Sequence, residues 1–176
     1  NKLKRKYQET ELIDINRYPY PKRSYLPKSV TTRRKMMTLK SKPGVYDNLP
    51  STNVLFSRGC PFRCSFCAII HARENTPGIR FRTPQLIEEE INYLKHEYDI
   101  EGIILVDEIG IPLNMRLTIP HLEAIGRTGV VWRGQCRVDG VTPEIASLAR
   151  HGFSGRRHGR VMDTFNGHLV PSCSYI

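Results

Sequence analysis

Acidic residues are scarce at both ends of this chain. Between residues 1 and 42 only Glu9, Glu11 and Asp14 oppose thirteen lysines and arginines, and after Glu144 the sole acidic residue is Asp163. The front of the chain thus carries an excess of ten positive charges, as large as the formal net charge of +10 for all 176 residues. Such an arm, with Tyr18, Tyr20 and Tyr25 interspersed, suits phosphate contacts and base stacking. No recognition helix or RNA-binding motif accompanies it, so no specific nucleic-acid partner is expected. Prolines at positions 19, 21, 27, 43 and 50 interrupt the stretch, which fits an extended linker along a neighbouring domain better than a groove-reading helix. No apolar run is long enough for a transmembrane helix, and no membrane partner is expected. No secretory signal opens the chain and its five cysteines are an odd number, which argues against a disulfide framework and for reduced thiols in the cytoplasm.

What the chain does have is a dense cysteine cluster. Three of the five fall within eight residues, Cys60-Pro-Phe-Arg-Cys64-Ser-Phe-Cys67, while Cys136 and Cys173 lie far away. Thiolates bind soft metal centres strongly, and a structural zinc site wants four ligands. A [4Fe–4S] cluster held by only three cysteines leaves one iron free to take an exogenous ligand. His71, four residues past Cys67, offers zinc a fourth ligand, so the residues alone also admit a zinc-stabilised, basic nucleic-acid-binding module.

Around the cysteines, strand and helix signals alternate. Asn53-Val-Leu-Phe-Ser57 is a short apolar run of strand type ending at the Arg58-Gly59 turn. Thr83-Pro84 reads as an N-cap followed by proline at the first helical position, and Leu86, Ile87, Ile91 and Leu94 recur at helical spacing toward Tyr98. Gly102 and Ile103 to Val106 form the next strand, and a second helix is expected over Met115 to Thr128, weakened by Pro120. Val130-Val-Trp132 begins a third strand, and Thr142-Pro143-Glu144 signals a third helix stopping at Gly152. The order implies an α/β fold with right-handed crossovers and a parallel sheet, whose ligands bind at the carboxyl ends of the strands. Cys60, Asp107 and Arg137 all fall at such ends. Trp132 is expected in the core, Cys136 as a small strand hydrophobe and His121 on the surface.

The cysteine spacing, with Gly59 before it, Pro61 after the first cysteine and Phe66 before the third, resembles the cluster loop of the radical S-adenosylmethionine enzymes. In that family the open iron takes the amino and carboxylate end of S-adenosylmethionine. Reduction of the sulfonium then releases a 5′-deoxyadenosyl radical, which removes a hydrogen atom from substrate. The resemblance implies a [4Fe–4S] cluster on Cys60, Cys64 and Cys67, S-adenosylmethionine as cofactor, a small-molecule substrate, and a flavodoxin- or ferredoxin-like electron donor. It also implies a partial (β/α) barrel of the radical SAM type, with parallel strands and crossover helices. About half of the family's six-stranded barrel is supplied here, at one strand and helix per ~30 residues.

Leu12-Ile-Asp-Ile-Asn-Arg-Tyr-Pro-Tyr-Pro is similar to the connector that follows an upstream cobalamin-binding domain in one subgroup, the anaerobic magnesium-protoporphyrin ester cyclases and cobalamin-type radical methyltransferases. Ser57 to Cys67, Asn114 with Arg116, and Trp132 to Asp139 carry the rest of that resemblance. Methyl transfer and cyclisation are the reactions it implies. No Asp-x-His-x-x-Gly motif is present, so cobalamin enters only if a missing upstream domain supplies it.

By the same resemblance Phe66, Asp107, Glu108 and Arg137 contact the cofactor. Asp107 and Glu108 would accept from the methionine ammonium, and Arg137 would pair with a carboxylate by its bidentate fork. A solvated acidic loop is the competing reading of Glu108, and an ordinary surface arginine that of Arg137. The expected division is a basic linker over 1–50, the radical SAM core over 51–152, and an atypical tail over 153–176. In the tail the family's fourth strand, glycine-rich turn and glutamate have no counterpart.

Overall fold

The computed structural model describes residues 14–32, 49–62, 67, 79–111, 113–134 and 142–145. Three parallel strands, β1 (Ser51–Val54), β4 (Gly102–Leu105) and β5 (Val131–Arg133), form a sheet in the order β1-β4-β5. Ser51 stands opposite Gly102 and Val54 opposite Leu105, while Gly102 faces Val131 and Ile103 faces Trp132. Two short strands, β2 (Ser57–Arg58) and β3 (Arg80–Phe81), pair antiparallel beside it. Helix α2 (Pro84–Tyr98) connects β1 to β4 and α3 (Met115–Thr128) connects β4 to β5. The parallel α/β arrangement is therefore present, as part of a barrel and without closure among the described residues.

Helix α2 has the bounds its sequence signals set. Thr83 Oγ1 accepts from the Leu86 N–H, Pro84 opens the first turn where no donor is needed, and Ile87, Ile91 and Leu94 are buried on one face. Its end is Asp99, in the left-handed region at φ 52°. Helix α3 also spans its expected residues, with Pro120 inside. The Asn114 side chain caps it by accepting from Arg116 N–H, Gly129 at φ 69° ends it, and Leu122, Ala124 and Ile125 bury its apolar face. Tertiary packing of that face outweighs the one donor that Pro120 removes. The two helices pack on one another, share the core with Val54, Ile103, Leu105 and Trp132, and are bridged at their rims by Glu88 and Arg127 at 2.8 Å. Thr142 Oγ1 accepts from Ile145 N–H, a cap for the helical residues 143–145.

One expectation needs correction. The apolar run Asn53–Ser57 is not one strand: β1 begins at Ser51 and ends at Val54, and β2 begins afresh at Ser57. Val106 N–H still donates to Val54 O, whereas Phe56 O, two residues on, accepts from Arg82 N–H at 2.8 Å. The chain thus leaves the parallel ladder for an antiparallel one within two residues.

Of the basic front, residues 14–32 contain short turns and α1 (Lys28–Thr31). They run along α2 from its first turn to its last. Asn16 Oδ1 accepts from Thr83 N–H at 2.8 Å, the Tyr20 and Tyr93 rings lie 4.9 Å apart, and Lys28 pairs with Asp99 at 2.7 Å. Arg23 reaches β1, donating to Thr52 Oγ1 at 3.1 Å and to Asn53 O at 2.7 Å. No helix among the described residues is long and apolar enough to cross a membrane.

Candidate functional site

The site is built where β1 and β4 end. Asp107, two residues past β4, is 4% exposed. Its Oδ1 accepts the Phe56 N–H at 3.0 Å and also the Ser57 N–H. A carboxylate holding two successive backbone donors pulls the chain out of the β1 ladder and fixes the direction in which β2 departs. Arg58 is followed by Gly59 at φ 89°, a left-handed conformation that favours glycine, and then by Cys60. Cys60 and Cys67 carry free, half-buried thiols. Cys64 and Phe66 lie outside the described residues, as do His71, Arg137 and Cys136.

Several buried polar atoms around this point have no protein partner. Asp107 Oδ2, Glu108 Oε2 and Ser57 Oγ are among them, the last beside the Asp107 carboxylate without a well-formed hydrogen bond to it. A buried acceptor without a donor is costly, so two of them at the strand ends suit a cationic ligand with several N–H groups. Burial raises the Asp107 carboxyl above the ordinary range, opposed by the Ser57 side chain and the Ser57 and Phe56 N–H groups. An arriving cation would reverse that shift and strengthen its own binding.

Beneath the site lies a second buried carboxyl that the sequence reading missed. Glu90 on α2 is 1% exposed with Oε2 unpartnered. Burial raises it, the Arg82 and Arg23 guanidinium groups lower it, and the charge of Asp107 raises it further. Its place on the buried face, one position before Ile91, was the available signal. His121 is also not where it was expected: it is half-buried, because its ring nitrogens face two backbone carbonyls and its ring meets Phe81 edge-on at 5.2 Å. Trp132 is in the core, 3% exposed.

Parallel strands crossed by helices thus place Cys60, three residues past Ser57, and the buried carboxyl of Asp107 at the carboxyl ends of β1 and β4. Residues 54–130 match the family model described as the Radical SAM superfamily. A [4Fe–4S] cluster and S-adenosylmethionine are its general cofactors, and its members act on small molecules with the help of a reductant.

Three curated relatives align with parts of the chain. An uncharacterized methyltransferase of Pyrococcus horikoshii is 29% identical over 108 residues, covering 60% of this chain and 23% of the relative. Another, from Synechocystis sp., is 35% identical over 79 residues, or 44% of this chain and 14% of the relative. The anaerobic magnesium-protoporphyrin IX monomethyl ester cyclase of Rubrivivax gelatinosus is 40% identical over 53 residues, 30% of this chain and 9% of the relative. The family and these names are those of enzymes. The chain spans less than a quarter of the length of each relative.

Proposed function

We propose that Cys60, Cys64 and Cys67 ligate a [4Fe–4S] cluster and that the domain serves an enzyme which reductively cleaves S-adenosylmethionine for methyl transfer or cyclisation of a small molecule. The reading is supported most by Asp107, whose one oxygen is committed to the root of the cysteine loop while the other is buried and free to accept. The cluster would supply the electron that cleaves the sulfonium. The chain's own part is orientation: Asp107 Oδ2 and Glu108 Oε2 accept from the methionine ammonium, Phe66 flanks the cofactor, and Arg137 pairs with a carboxylate of cofactor or substrate. A flavodoxin- or ferredoxin-like protein would be the electron donor, in a reducing cytoplasm. Cobalamin would take part only if an upstream domain supplied it.

Anaerobic reconstitution with iron and sulfide, then incubation with dithionite and S-adenosylmethionine, tests the proposal. Bound iron with acid-labile sulfide is expected, with slow release of 5′-deoxyadenosine, because small misplacement of the sulfonium can cost about a hundredfold. Stoichiometric zinc and no sulfide would overturn it in favour of a zinc-stabilised module.

A further inference from the structure

His121 sits at the end of a series of hydrogen bonds that runs through Arg82 and Phe56 to Asp107, at the root of the cysteine loop. Its Nε2 lies 2.8 Å from Arg82 O, and its Nδ1 faces Leu117 O one turn back on α3. The N–H of the same Arg82 donates to Phe56 O at 2.8 Å, and the Phe56 N–H donates to Asp107 Oδ1 at 3.0 Å. The His121 ring also packs against Phe81, the residue opposite Ser57 in the β2–β3 pair. From Ser57 only Arg58 and Gly59 intervene before Cys60.

Arg82 is 8% exposed, and it precedes the cap of α2 rather than lying inside the helix, so its carbonyl has no intrahelical donor. With its proton on Nε2, His121 supplies that donor from α3. Without it the 82–83 peptide is released on one side, and Arg82 can swing its own N–H away from Phe56 O. The Phe56–Ser57 root would then be held by Asp107 and by the short β2–β3 pairing, without the bond that closes that pair at Phe56.

We propose that His121 is a positioning residue, a brace from α3 that fixes Arg82 and through it the strand root from which the Cys60 loop leaves. The proposal rests on the reading of Cys60, Cys64 and Cys67 as cluster ligands. It distinguishes the two ring nitrogens. Glutamine places an amide nitrogen near the position of Nε2 and can donate to Arg82 O; asparagine places one near Nδ1 and reaches only toward Leu117 O. A ring that merely filled space would be replaced equally well or equally badly by both.

The test uses the 176-residue chain, reconstituted anaerobically as wild type, His121→Gln, His121→Asn and Cys64→Ser. Iron and sulfide are measured, together with the electron paramagnetic resonance spectrum of the dithionite-reduced protein with and without S-adenosylmethionine. His121→Asn is expected to keep iron and sulfide while its reduced-cluster signal broadens, and to need about tenfold to a hundredfold more S-adenosylmethionine for the same spectral change. His121→Gln is expected to restore the wild-type signal. A wild-type signal from His121→Asn, or equal impairment of both His121 variants with equally lowered melting temperatures, overturns the brace. Full iron and sulfide in Cys64→Ser overturns the cluster reading instead, and does so whichever way the His121 variants behave.

Discussion

Replacing Asp107 separates its backbone role from its charge. In Asp107→Ala the Phe56 and Ser57 N–H groups lose their common acceptor in a buried place. Each unsatisfied donor costs about 1–3 kcal/mol, so the chain should lose about 2–6 kcal/mol of stability. Asp107→Asn keeps an oxygen for both donors and removes a carboxyl whose ionised form burial disfavours. It should be as stable as wild type near pH 4 and more stable at pH 8. The sign follows from linkage: burial raises the native carboxyl above its unfolded value of about 3.9, so in the interval above that pH the native state holds a proton the unfolded chain has released. Stability therefore falls as pH rises through the interval up to the raised native pKa, and Asp107→Asn removes that share of the fall. Trp132 is the only tryptophan and is buried, so its fluorescence reports unfolding in urea at each pH. The reasoning is refuted if Asp107→Ala costs under about 0.5 kcal/mol, which would put it within the range of ordinary surface substitutions. It is equally refuted if Asp107→Asn is as damaging as alanine.

Glu90→Gln should raise stability at pH 7 by on the order of 1 kcal/mol while leaving it unchanged near pH 4, because burial lifts that carboxyl in the same direction; an unaltered pH profile in urea would contradict this. Thr83→Ala removes the cap on Leu86 N–H and should cost about 1 kcal/mol, read as a lower urea midpoint. Serine at Cys60, Cys64 or Cys67 should abolish iron and sulfide binding while serine at Cys136 or Cys173 leaves it intact, since a hydroxyl is a far poorer ligand for iron than a thiolate.

Local signals were sufficient wherever the determining interactions were local. Thr83, Pro84 and the apolar spacing that follows placed α2 at its observed bounds. Asn114 and Gly129 frame α3, whose buried stripe tolerates Pro120. The interrupted first strand was not legible, because Leu55 and Phe56 continue an apolar run and the group that breaks it, Asp107, lies 50 residues beyond Ser57. His121 follows a proline in a helical stretch and reads as exposed; the carbonyl that draws it inward belongs to Arg82, 39 residues earlier. Glu90 has the appearance of one more acid in the run Glu88-Glu89-Glu90, and only the rotation of α2 against the sheet buries it.

By itself, then, the sequence determined the chemistry on offer and the order of elements: three close thiols, strands alternating with helices, and acids at a strand end. Those follow from residue type, spacing and period, which act within a few residues of chain. Tertiary structure decided which of those groups meet. It tied Asp107 to the loop root, buried Glu90 within the fields of Arg82 and Arg23 and turned His121 onto Arg82. The Asp107 and His121 contacts depend on satisfying a polar group removed from water. Its partner is whichever residue packing brings near, however distant in the chain.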